Sequence, residues 1–259
     1  MMKKSRTYFY SAKQDDELMT PPKAIKKITG DYPYVRHSLS SRVLAFIAYR
    51  LIATPIAFVH TRLIKRIKIV NKSSLRPYLK DGYFIYANHT QVHADAFAPS
   101  IILFPKRNYT IVNANNVSLP GLGNATKLLG ALPLPDDLTA GKHFIRALDQ
   151  RIREGHSVLI YPEAHIWPYY TGIRPFEDHS FKYPLKQDTP TFVFTTTYQK
   201  RAKRRYRIIL YVDGPYYAPL NLGKKQRQSY LHDQVITVMR QRSATSNFNK
   251  FNYQLKETL

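Results

Sequence analysis

Residues 83–97 read YFIYANHTQVHADAF, and the reading of the whole chain starts from them. The first five form an unbroken apolar run, the pattern of a strand buried on both faces. The run ends at Asn88-His89. After a short polar loop, Asp95 opens ADAFAPSIILF (94–104), which reads as a short helix. Strand, loop and helix in that order make the unit of a sheet with helices on its faces. In such sheets, functional side chains gather in loops at the carboxyl ends of strands. Asp95 is the only acidic residue between Asp81 and Asp136, so any local carboxylate role falls to it. A carboxylate that accepts the Nδ1 proton of a histidine fixes its tautomer, and Nε2 can then take a proton from a hydroxyl. His89 and Asp95 are the candidate catalytic pair.

Outward from this stretch, strand and helix patterns alternate. Residues 67–70, 109–114, 157–163, 189–198 and 206–213 read as further strands. Residues 141–155 read as an amphipathic helix with Phe144, Ile145, Leu148 and Ile152 on one face and Gly155 as its stop, and 225–244 as a closing helix. The expected fold is α/β: a single catalytic domain over 67–259 with a mixed, largely parallel sheet flanked by helices. Residues 1–40, broken by Pro21, Pro22, Gly30 and Pro33, read as a loosely ordered basic tail. Residues 41–66 hold an apolar stretch (43–59) with Arg50 in its middle and Arg42, Arg62, Lys65, Arg66 and Lys68 at its flanks. A central Arg costs about 2.5–3.5 kcal/mol on insertion scales. The expectation is a helical pair docked in the membrane interface, kinked near Pro55, with basic residues toward lipid headgroups. An ordinary buried helix and a true membrane span are the alternatives, the apolar stretch falling at the short limit of a spanning helix.

The chain carries 40 Lys+Arg against 17 Asp+Glu, a net charge of +23. That balance calls for an anionic partner: a membrane surface, a phosphorylated substrate or nucleic acid. Cysteine is absent, which excludes disulfides, thiolate nucleophiles and Cys-ligated zinc. The basic N-terminus has no apolar run behind it, so no secretory signal is read and a cytoplasmic location is expected. No Ser sits in a G-x-S-x-G elbow, which points away from a covalent mechanism.

NHTQVHAD (88–95) resembles the Asn-His…Asp block of the 1-acyl-sn-glycerol-3-phosphate acyltransferase family. YPEAHIWPYYTGIRPF (161–176) resembles that family's FPEGTRS block, GALPLPDD (130–137) stands where it has a Gly…Arg block, and TPTFVF (189–194) resembles its fourth block. The resemblance runs over residues 67–213. It implies transfer of a fatty acyl group from acyl-CoA or acyl carrier protein to the free hydroxyl of a lysophospholipid, most simply lysophosphatidic acid. It implies a peripheral place on the cytoplasmic side of the cell membrane, an anionic membrane surface as partner, and no cofactor or metal. Three departures stand out. Five residues separate His89 from Asp95 where the family has four, Ala164-His165 replace Gly-Thr, and the second block's acceptor-binding arginine is missing.

The expected substrate-binding residues are Glu163, His165, Arg174, Asn88, Lys142 and Arg146. Glu163 has two readings, as an acceptor contact or as half of a buried ion pair with Arg174. Arg174 reads as a bidentate phosphate clamp or a surface arginine. His165 either contacts substrate or stacks on Trp167, and Asn88 either binds substrate or holds its own loop. Lys142 and Arg146 are candidates for the missing phosphate cation. Two other classes remain: a basic nucleic-acid-binding module, disfavoured because the basic residues are spread along the chain with no binding motif, and a metal-dependent hydrolase using His89, His93 and Glu163.

Overall fold

The computed structural model describes residues 6–13, 16–18, 26–118, 123–202 and 206–256. Pro21 and Pro22, invoked above as breaks in the tail, lie outside the described residues. Strand β1 is Thr7–Tyr10, β2 Lys68–Val70, β3 Tyr83–Ala87, β4 Asn108–Val112, β5 Ala131–Pro133, β6 Ser157–Ile160, β7 Thr191–Lys200, β8 Tyr206–Tyr216 and β9 Asn252–Leu255. Seven of them form one sheet in the order β2-β8-β7-β3-β6-β4-β5. Every neighbouring pair in it is parallel except β7 and β8. This is the expected α/β fold.

The strand β3 runs between β6 and β7 and is buried along its whole length, which is why its sequence is apolar without alternation. Its side chains still alternate between two cores. Tyr83, Ile85 and Ala87 face Ala94, Ala98 and Ile102 of the helix Ala94–Ile102. Phe84 and Tyr86 face Phe144, Leu148 and Ile152 of the helix Leu138–Arg153 and Val235 and Met239 of the helix Lys224–Ser243. Gly155, with φ 76°, ends Leu138–Arg153 in the left-handed conformation that glycine adopts without strain.

The N-terminal apolar segment corrects the sequence reading. It is one continuous helix, Leu39–Ile64, rather than a pair. Pro55 does not break it, because the turns around it are wide: Thr54 N–H reaches back five residues to Tyr49 O, and Lys65 N–H to His60 O at 2.8 Å. A wider turn relieves the clash between a proline ring and the preceding carbonyls. Tyr49, Ala57 and Thr61 are buried against the domain, and Asn108 N–H donates to Tyr49 Oη at 3.1 Å. Arg50 turns back onto the protein, where it bonds Pro105 O and lies over the rings of Phe104 and Tyr49. The outer side exposes Leu44, Phe46, Leu51, Ile52, Ile56, Phe58, Leu63 and Ile64.

The described part of the tail is also ordered, contrary to expectation. β1 pairs in parallel with β9, from Thr7 opposite Asn252 to Tyr10 opposite Leu255. Ile28 and Tyr34 are buried, Ile28 N–H donates to Asp136 Oδ2 at 2.6 Å, and Tyr34 Oη donates to Pro133 O at 2.9 Å. Prolines and glycines stop helices and strands, but they do not stop a chain from seating its aromatic and aliphatic side chains. Asp137 caps Leu138–Arg153 by accepting from Ala140 N–H at 2.7 Å and also accepts from Gly30 N–H at 3.1 Å. The two aspartates found near the place of the missing arginine thus fasten the protein's own N-terminal segment.

Candidate active site

The carboxyl end of β3 delivers Asn88 and His89 to one rim of the sheet. Asn88 extends the ladder: its Nδ2 donates to Thr196 O at 3.0 Å and its Oδ1 accepts from Thr196 N–H at 2.8 Å. It is 2% exposed, so it fixes the strand end and does not face a ligand.

His89 is held from four sides. Its backbone N–H donates to Glu163 Oε2 at 3.0 Å, and its carbonyl accepts from Trp167 N–H at 3.1 Å. Its ring stacks on Tyr161 with centroids 4.1 Å apart and planes 17° apart. Its Nδ1 lies 2.8 Å from Asp95 Oδ2. The longer loop closes because residues 91 and 95 bind each other. Gln91 N–H donates to Asp95 Oδ2 at 2.9 Å, and Asp95 N–H donates to Gln91 O at 3.2 Å. Asp95 lies in the first turn of Ala94–Ile102 and is not its N-cap, a position held by His93. Below the loop, Thr90 Oγ1 lies 2.7 Å from Tyr198 Oη, and Gln91 Nε2 donates to the same hydroxyl. The His89 side chain keeps 16% of its surface exposed against 8% for Asp95, so the imidazole forms the open end of the pair.

Tyr161 was not singled out by the sequence. Besides stacking on His89, its Oη donates to Asp95 O at 2.7 Å. Burial pushes its phenol well up, and the Asp95 charge adds to that, so it stays protonated as a donor. Its signal was its place at the end of β6, the parallel neighbour of β3, but that pairing is invisible before the sheet is assembled.

Glu163 and Arg174 form the buried pair. Glu163 Oε1 accepts from Arg174 N–H at 2.9 Å, and the Arg174 Nη2 to Glu163 Oε2 distance is 3.8 Å. Arg174 Nη2 also donates to Glu163 O at 2.8 Å and to His165 O, and its guanidinium lies 5.1 Å from the Trp167 ring centroid. Burial pushes the Glu163 carboxyl up, opposed by Arg174 and the two N–H donors. Burial pulls the Arg174 guanidinium down, opposed by Glu163. Arg174 is fully buried, so the phosphate-clamp reading is corrected: its Nη2 serves the 163–165 turn, its Nη1 donates to Lys13 O at 3.4 Å, and Glu163 uses its oxygens to hold His89 and Arg174 in place.

His165 gives its carbonyl to Arg174 and lies in the 163–167 turn that binds the His89 backbone at both ends, while Trp167 stacks on Tyr253 (5.2 Å, 4°) and not on His165. Lys142 and Arg146 are not brought to His89: both are exposed on Leu138–Arg153, which covers the sheet face opposite the helix that carries Asp95. Among the described residues no group of three His, Cys, Asp or Glu side chains is placed to hold a metal ion, so His89, His93 and Glu163 do not form the hydrolase site considered above.

Ala164 has φ 60°, a left-handed conformation in the position where the resembling family has glycine. An L-residue there is strained by about 1–2 kcal/mol. Ala164→Gly is expected to raise stability by roughly 0.5–1 kcal/mol, after allowance for the looser unfolded chain. Urea unfolding of the two proteins measures this, and a less stable variant would contradict the strain.

The arrangement defines a class: an α/β enzyme with a carboxylate-oriented histidine at the mouth of a central strand. A model of the family described as Acyltransferase matches residues 66–195, half of the chain, and the protein belongs to that family and is an acyltransferase. A solved structure, the 1-acyl-sn-glycerophosphate (LPA) acyltransferase PlsC from Thermotoga maritima, is similar in fold. It superposes with a TM-score of 0.53 at 16% identity over 82% of this chain and 86% of that one. A search of curated proteins finds no match.

Proposed function

We propose that the protein moves a fatty acyl group from an acyl thioester to the free hydroxyl of a lysophospholipid, most simply 1-acyl-glycerol-3-phosphate, to give phosphatidic acid. The observation that carries the reading is the 2.8 Å contact between His89 Nδ1 and Asp95 Oδ2 at the mouth of β3. With Nδ1–H donated to Asp95, His89 Nε2 takes the acceptor's hydroxyl proton as the oxygen attacks the thioester carbonyl. The C–S bond then breaks, and the imidazolium returns the proton to the leaving thiolate. The N–H groups of His89, Gln91, Ala164 and His165 are all bonded within the protein, so the oxyanion would be met by other donors. Arg174, Lys142 and Arg146 give way to Lys65 as the cation for the acceptor phosphate. Lys65 Nζ donates to Tyr169 Oη at 3.3 Å, and Tyr169 N–H donates to Thr90 O at 2.8 Å, next to His89.

The exposed apolar side of the helix Leu39–Ile64 supports docking on a membrane, and we place it on the cytoplasmic, anionic face. Its covered side packs on the domain near the dyad, with His60 5.1 Å from Phe97, while its outer side is apolar. Such a helix lies in the interface with its apolar face in the acyl boundary. Leu51→Glu combined with Ile56→Glu is expected to weaken sedimentation with anionic vesicles at least tenfold, because burying each such side chain contributes about 1.5–3 kcal/mol. Unchanged sedimentation would rule out this face. The reaction itself is tested by acyl transfer from acyl-CoA and from acyl carrier protein to lysophosphatidic acid in mixed micelles. Phosphatidic acid formation is the expected result. No transfer to this acceptor, with transfer to another lysophospholipid, would replace the headgroup and keep the reaction.

A further inference from the structure

On the sheet face opposite the helix that carries Asp95 lies an open cavity of about 530 Å³, between the helices Leu138–Arg153, Lys182–Leu185 and Lys224–Ser243. Its floor is apolar: Phe84, Ile145, Leu148 and the ring of Tyr183. Its rim carries four lysines, 182, 186, 224 and 225, against one carboxylate, Asp149. That carboxylate is already engaged, since it accepts from Lys186 Nζ and from Gln187 Nε2 at 3.0 Å. Lys182, Lys224 and Lys225 have no carboxylate within ion-pair reach among the described residues.

The volume fits a small ligand, for which about 300–1,000 Å³ is usual. The site is separate from the dyad. Phe84 stands near the start of β3 and His89 just past its end, so five residue steps of extended chain, roughly 16 Å, separate them. Ammonium groups are compact point charges suited to phosphate oxygens, and three that lack a carboxylate partner among the described residues favour a dianion over a single carboxylate. We propose that this cavity binds a single-chain amphiphile with a phosphate monoester head. Its chain lies on Phe84, Ile145, Leu148 and Tyr183, and its dianion sits between Lys182, Lys224 and Lys225.

The test is calorimetric titration of the full chain with dodecyl phosphate below its micelle concentration. Wild type is compared with Lys182→Glu/Lys225→Glu and with Ile145→Trp, which fills the floor. The exposed apolar side of the N-terminal helix is a second place for amphiphile to adsorb, so the readout is the difference between proteins. Wild type is expected to show one additional site, weakened at least tenfold by the double charge reversal and removed by Ile145→Trp. Acyl transfer without dodecyl phosphate should be unchanged in both variants. Inorganic phosphate and dodecyltrimethylammonium are expected not to fill the site. Equal stoichiometry in all three proteins would overturn the proposal, as would equal occupancy by either control. Binding of an acidic amphipathic peptide, lost in the double variant, without binding of dodecyl phosphate would overturn it in favour of a protein partner.

Discussion

His89→Ala is expected to lower kcat for acyl transfer by about 10³-fold, within the 10²–10⁴ that a positioned general base contributes. KM for the acyl donor should change little, because the imidazole acts on the hydroxyl proton. Asp95→Asn should cost less, about 10²-fold. The amide preserves the shape of the side chain but removes the charge that stabilises the imidazolium. It also weakens the acceptor for Gln91 N–H, which holds the five-residue loop closed at 2.9 Å. Steady-state kinetics in mixed micelles reads both effects, with circular dichroism and vesicle sedimentation as controls for folding and membrane binding. His89→Ala retaining activity within tenfold of wild type would sink the mechanism.

The second large effect falls on stability. Arg174→Met leaves Glu163 buried with its carboxylate short of the guanidinium that balances it, and removing one partner of a buried pair costs about 3–5 kcal/mol. For a domain of this size that lowers Tm by roughly 10 °C. The double variant Glu163→Gln/Arg174→Met should be less destabilised than the sum of its single changes, since the stranded charge is gone. Thermal unfolding of the four proteins measures the coupling. An Arg174→Met protein with unchanged Tm and a raised KM for the acceptor would restore the phosphate clamp that the geometry excludes.

The two effects meet at one residue. Glu163 Oε2 accepts the backbone N–H of His89, so the buried pair supports the His89 loop from beneath. Loss of Arg174 is therefore expected to reach kcat as well as Tm, although its side chain is fully buried.

Much of this was legible in the residue order. The apolar run of β3, the Phe144-Ile145-Leu148-Ile152 face and the Gly155 stop gave their elements because each rests on local periodicity or on one backbone conformation. His89 and Asp95 were legible as a pair because both flank one loop in a stretch with no other carboxylate. Arg174 was not, because exposure is a property of the folded whole. An arginine beside an aromatic-rich segment reads the same whether it clamps a phosphate or braces a turn. The continuity of Leu39–Ile64 through Pro55 was hidden too, since wide turns that accommodate a proline carry no residue signature.

What the sequence by itself determined is the alternation of strands and helices, the His-Asp pair and the apolar N-terminal segment. These depend on neighbours within a few residues, or on side-chain chemistry that context does not alter. The tertiary structure alone decided the strand order, the docking of the tail through β1 and β9, the stacking of Tyr161 on His89 and the burial of Glu163 with Arg174. Each of those joins segments far apart in the chain. Which distant groups meet is set by how the two faces of the sheet are covered, and no local pattern encodes it.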